Sequence, residues 1–218
     1  MLIMGFNPDN KFISGINKTL DCVWLGLLWT ICSIPIFTMG TASTALYYAI
    51  HKSIRHDRGY VTSSFFSSFK KNFKQSTPIW IVMLLLYGLL AYDYHVMKTL
   101  VSLGEEIGYL YKVFPVFMIF ITLWGFYIFP YIARFQNTTK ETLIYSLFIA
   151  IRNIHWTLLI AVLFVISLII LYMFPPIFFV LPVMYNLFKN SILERVFDKY
   201  ISPEERQKEF ERNRNFYN

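Results

Sequence analysis

SIPIFTMGTASTALYYAIHKSIR, residues 33–55, decides how the rest of the chain is read. Its first residues close an apolar run long enough to cross a bilayer. After Gly40 the residues Ala42, Ala45, Leu46, Ala49, Ile50 and Ile54 recur at helical spacing, with Thr44, Tyr48, His51, Lys52 and Arg55 elsewhere on the surface. A span therefore gives way to an amphipathic helix over 41–55, too short to cross by itself. It is expected in or near the interface, or re-entrant, and Gly40, Ala42, Ser43 and Ala45 permit close helix packing.

Working outward, the run before it covers 19–37, about 19 residues or ~28 Å, against a hydrocarbon core of ~30 Å. Asp21 stands within a turn of its start, where a solvated acid is ordinary. Asp, Glu, Lys and Arg are missing from 22–50, 79–92, 113–133 and 153–188, and the chain is 56% hydrophobic and only 15% charged overall. These gaps predict an all-α polytopic membrane protein of about five spans, near 19–37, 78–94, 113–133, 156–174 and 176–192. Pro182 is expected to kink the last.

Two further amphipathic helices are expected on the same side of the membrane. In 63–75, Phe65, Phe69 and Phe73 recur every fourth residue beside Lys70, Lys71 and Lys74, which suits a lipid surface and could also hold an acidic partner. In 141–153 a helix leads into the fourth span after a polar turn at 136–141. The tail, 193–218, is charged and soluble, with Ser202, Pro203 and Glu205 opening a short helix. Residues 1–18 hold a turn at 7–10 and no basic start with a clean apolar core, so no cleaved signal peptide is expected.

Basic residues set the orientation. Lys52, Arg55, Arg58, Lys70, Lys71 and Lys74 precede the second span, Arg134, Lys140 and Arg152 lie between the third and fourth, and more follow in the tail. Those regions read as cytoplasmic. The connection at 93–112 sets Lys98 and Lys112 against Asp93, Glu105 and Glu106, and Pro175-Pro176 carries no charge, so both read as external. The N-terminus is then outside and the C-terminus inside. A weak parallel repeat agrees: Lys71-Asn72-Phe73-Lys74 echoes Arg152-Asn153-Ile154-His155, Trp80 and Trp156 follow, and Pro35 and Pro130 stand near the ends of spans one and three.

The net charge of +7 lies beside apolar runs, which fits anionic lipid headgroups rather than nucleic acid. Cys22 and Cys32 are ten residues apart on one helix, ~15 Å, too far for a disulfide. The chain has no phosphate-binding Gly-rich loop, nucleophile elbow, zinc-binding His pair or Cys-x-x-Cys. Neither enzymatic activity nor a cofactor or metal is expected. The spans hold no mid-depth ionisable group of the kind a coupled transporter uses. The oligomeric state is not legible in the sequence.

The motifs Pro35-Ile36-Phe37-Thr38-Met39-Gly40-Thr41-Ala42 with Ala45, Ser68-Phe69-Lys70-Lys71-Asn72-Phe73-Lys74-Gln75, and Phe129-Pro130 with Ala133-Arg134-Phe135 resemble those of the YesL family of bacterial integral membrane proteins. The resemblance implies Pro35, Thr38, Gly40, Ala42, Ala45, Phe69, Phe73 and Pro130 as structural motif positions. It also implies a setting beside ABC-type oligosaccharide importers. The permeases of such importers carry a cytoplasmic Glu-Ala-Ala loop, and this chain has none. The expected role is a non-enzymatic accessory subunit in the cell membrane. Its cytoplasmic helices would meet permease or ATPase subunits through Tyr47, Tyr48, Lys52, Lys70, Lys71, Asn72 and Arg134. The competing expectation is a small stand-alone transporter or channel for carbohydrate-related solutes.

Overall fold

The computed structural model describes residues 11–55 and 60–201, and all regular structure among them is helical. The α-helices are α1 (Lys11–Ser33), α2 (Met39–Ala49), α3 (Val61–Ser102), α4 (Val113–Arg134), α5 (Thr139–Arg152), α6 (Ile154–Met173) and α7 (Leu181–Phe197). Short 3-10 turns join them at Ile36–Thr38, Glu106–Lys112 and Pro175–Phe179, and a π-helical turn, Ile50–Arg55, extends α2. The turn expected at 7–10 and the tail helix expected from 202 lie outside the described residues.

Three helical stretches are long and apolar enough to cross a membrane: Val61–Ser102, Glu106–Arg134 and Ile154–Met173. Only 11%, 22% and 11% of their most apolar windows are buried inside the protein. So much outward apolar surface needs lipid rather than water, and the chain has the build of a helical membrane protein. These stretches contain the spans expected at 78–94 and 113–133 and all but the last residue of that at 156–174. The other two expected spans differ. The first is cut at Ser33, and α1 also carries Lys18 and Asp21. The last begins only at Leu181, runs for 17 residues, and carries Asn186, Lys189, Asn190, Glu194 and Arg195. At ~1.5 Å per residue it is about 26 Å long, and its polar side is turned inward. Pro182 sits in the first turn of α7 rather than kinking a span, where its missing N–H would be unpaired anyway.

The helix expected at 63–75 and the span at 78–94 are one continuous helix, α3, of 42 residues. It passes through Pro78, and neighbouring hydroxyls brace the site. Thr41 and Thr77 hydroxyls lie 2.8 Å apart, and those of Thr44 and Ser76 3.1 Å apart. A Ser53–Ser64 bond of 2.8 Å continues the series in the opposite direction along each helix. α2 and the first half of α3 are therefore antiparallel. α4 returns along the second half of α3, with Trp80 against Phe129, Tyr87 bonded to Thr122, and Tyr94 against Tyr111.

The main correction concerns 41–55. Instead of lying on a surface, α2 is the buried centre of the bundle. Ala42, Ala45, Leu46, Ala49 and Ile50 are fully enclosed, packing with Leu25 and Leu28 of α1, Val61 and Phe65 of α3 and Val183 of α7. It folds back along α1 after the Pro35 turn, where the Thr38 hydroxyl bonds the carbonyls of Cys32 and Pro35 and the Trp29 indole donates to Ser43. Small residues make this possible. A methyl group at Gly40 would stand 2.6 Å from Trp80 Cβ and 2.7 Å from Phe129 Cε1, and one at Gly26 would stand 1.7 Å from the Phe179 carbonyl oxygen.

Candidate functional site

The packing of α2 brings polar side chains from three distant segments together. Tyr47 is inside the bundle, and its hydroxyl donates to Glu194 Oε1 at 2.7 Å. His51 Nδ1 lies 3.3 Å from the same oxygen, and Arg134 Nε, from the end of α4, lies 3.2 Å from Glu194 Oε2. One turn back along α7, Asn190 Oδ1 accepts from Arg55 at 2.9 Å, while the Ser191 hydroxyl accepts from the other guanidinium nitrogen at 3.1 Å.

Glu194 is therefore a buried carboxylate held by a phenol, an imidazole and a guanidinium, the company a buried charge needs. Burial, and then the Glu194 carboxylate, push the Tyr47 phenol well above its ordinary value. It remains a protonated donor, and the arrangement locks α2, α4 and α7 together.

The residues expected to form a partner surface separate into two groups. Tyr47 and Arg134 belong to this internal network, so Tyr47 in particular is not a surface group. Tyr48 and Lys52 are partly exposed, with the Lys52 ammonium 5.7 Å from the Tyr48 ring centre. Lys70 and Lys71 are exposed, and Asn72 is half-buried and donates to Ser68.

Of the motif positions, Gly40, Ala42, Ala45 and Pro130 are buried, and Thr38 ties the α1–α2 turn. Phe69 stacks on Phe65 and meets Phe73 in a tilted contact. Glu194, Asn190 and Lys189 escaped the sequence reading. Their signal is the i, i+4, i+8 series Asn186, Asn190, Glu194, with Lys189 at i+3, a polar stripe that a lipid-facing helix would not carry.

A cavity of about 340 Å³ lies between α3, α4, α6 and α7, with Trp29 of α1 and Met39, Gly40 and Ser43 of α2 also lining it. Trp29, Trp80, Phe126, Phe129 and Phe164 wall it, with Ser43, Thr122 and Ser167 contributing hydroxyl groups. Tyr185, Asn186 and Lys189 bring one face of α7 to it. Among the described residues, no cluster of three or more His, Cys, Asp or Glu side chains could hold a metal ion.

Neither a curated protein nor a solved structure matches this chain. Residues 22–94, running from α1 through the buried α2 into the second half of α3, match the family model described as "Protein of unknown function, DUF624", and over that stretch the chain is similar to that family.

Proposed function

We propose that the chain is a non-enzymatic accessory or assembly subunit of an ABC-type oligosaccharide importer in the cell membrane. The reading takes it as a YesL-type protein with five crossings, α1 and α7 completing the set, its N-terminus outside and its C-terminus cytoplasmic. The observation that carries it is the uncovered face of α3 before Pro78. There Phe66, Lys70, Phe73 and Lys74 stand exposed at helical spacing, while Ser64, Phe65 and Ser68 face inward. Ammonium groups interleaved with aromatic rings suit an acidic, partly apolar partner surface.

The test is recovery of the tagged full chain from native membranes in mild detergent. Permease and ATPase subunits are expected with it, in amounts that fall when Lys70 and Lys71 are both changed to Glu. Repeated recovery free of any transporter subunit overturns the assignment.

One observation favours a second reading, a small stand-alone transporter or channel for carbohydrate-related solutes: the cavity of about 340 Å³ among the spans. Proteoliposomes would then pass oligosaccharides, less so with Asp21→Asn or Asp93→Asn. No flux through folded protein counts against it.

A further inference from the structure

Lys189 is 7% exposed and lines the cavity, yet no carboxylate among the described residues pairs with it. Its ammonium lies 5.2 Å from the centre of the Tyr185 ring, a contact that offsets part of the cost of burying a cation. Glu194, little more than one turn further along α7, is already engaged by Tyr47, His51 and Arg134. Two more polar atoms of this helix face, Tyr185 Oη and Asn186 Oδ1, are buried without a hydrogen-bond partner. Apart from the Ser43, Thr122 and Ser167 hydroxyls the rest of the lining is apolar or aromatic, and the α3, α4 and α6 surfaces that form much of it belong to helices able to span a membrane.

We infer that this cavity binds a single-chain amphiphile with an anionic head group, a carboxylate or a phosphate, its head at Lys189 and its chain against Trp80, Phe129 and Phe164. Charge complementarity fixes the head. A buried ammonium without a counter-ion is costly, and an entering anion removes that cost and gains a charge-assisted hydrogen bond. The apolar walls fix the tail, since burying alkyl carbon against them is favourable in proportion to area. The size fixes the number of chains, because ~340 Å³ is near the lower end of small-molecule sites, which run about 300–1,000 Å³. The inference stands independently of the importer reading and concerns a ligand, not a partner subunit.

The experiment uses the full chain in phosphatidylcholine nanodiscs and tritiated dodecanoate, with excess unlabelled dodecanoate defining the saturable fraction. Saturable binding near one per chain is expected, competed by dodecyl phosphate. Dodecanol and dodecyltrimethylammonium should compete at least about tenfold more weakly, which is ~1.4 kcal/mol. Lys189→Met should weaken dodecanoate binding by about tenfold or more while leaving dodecanol competition unchanged; Lys189→Arg should restore much of it.

If Lys189→Met does not fold, Gly125→Leu, which fills the cavity beside Met83, should abolish the saturable fraction for every chain. Equal affinity for anionic and neutral heads overturns the inference, as does unaltered binding in folded Lys189→Met. Competition by inorganic phosphate alone also overturns it, because it would make this a soluble-anion site.

Discussion

α2 and α5 read alike in the sequence, as cytoplasmic amphipathic helices placed after a span in each half of the chain, yet they occupy opposite environments. Eight of the eleven residues of α2 are buried, and helices pack around it. In α5 four of fourteen are buried, Thr142, Ser146, Ile149 and Ala150, while Ile144, Tyr145, Phe148 and Ile151 stand outward. Apolar periodicity is similar in both, so periodicity did not decide the outcome. Side-chain size did. Gly40, Ala42, Ser43, Ala45 and Ala49 let neighbouring backbones approach α2 from several sides, whereas the bulky outward residues of α5 leave room for contact on one face.

The two helices are also fastened differently. α2 is held through Tyr47 to Glu194, 147 residues away, while α5 is pinned by Gln75 to Thr142 at 3.1 Å and by Trp124 to Ser146 at 3.0 Å. The largest expected effect tests the first fastening. Glu194→Ala removes the carboxylate that Tyr47, Arg134 and His51 face and should cost about 3–5 kcal/mol, the usual penalty for taking one partner from a buried charge network. The thermal midpoint in mild detergent should fall accordingly. A shift no larger than that of Thr142→Ala would mean that α2 is not fastened through α7 at all.

Next in size is the packing contrast. Gly40→Ala places a methyl group against Trp80 Cβ and Phe129 Cε1 and should cost about 1–3 kcal/mol through overpacking. Phe148→Ala removes a far larger group from the outward face of α5, where it is 51% exposed beneath Arg152. It should change the stability by no more than about 0.5 kcal/mol. The reverse ranking would remove small-residue packing as the cause of the difference between the helices.

What the sequence shows and hides follows from the range of each interaction. The charge-free runs at 79–92 and 113–133, and the first part of the run at 153–188, correspond to α3, α4 and α6 because lipid exposure constrains every residue of a local stretch. The small residues after Pro35 likewise signal close packing locally. That the packing encloses α2 completely depends on α7, whose Asn190 and Glu194 take partners far away in sequence. An apolar run ending in a charged segment looks like a span followed by a tail until Arg55 and Tyr47 supply partners from the other end of the chain. The repeat is similarly incomplete. Asn72 sits inside an unbroken helix and bonds Ser68, whereas Asn153 separates α5 from α6 and bonds Ile149 and Tyr200. The letters match while the backbone differs.

The smallest expected effect concerns how each helix begins. α5 starts with a capping box: Thr138 Oγ1 accepts from the Glu141 amide, and Glu141 Oε2 accepts from the Thr138 amide at 2.9 Å. The Thr138 backbone N–H, and then its hydroxyl, hold the Glu141 carboxyl below its ordinary value. A depressed carboxyl stabilises the folded cap fully above the unfolded value of about 4.3, and that contribution is lost as pH falls through the lower folded value. Amide exchange in the first turn of α5, corrected for its intrinsic rate, should therefore lose protection on acidification below about pH 4. Thr138→Ala should lower protection about fivefold at neutral pH, the ~1 kcal/mol typical of a lost Thr cap, and remove most of the acid dependence. α2 has no side-chain cap, because the Thr38 hydroxyl is turned back to Cys32 and Pro35. Its first turn should show no matching acid transition, and finding one there would mean that its start is held by a titrating group rather than by the packing around Gly40.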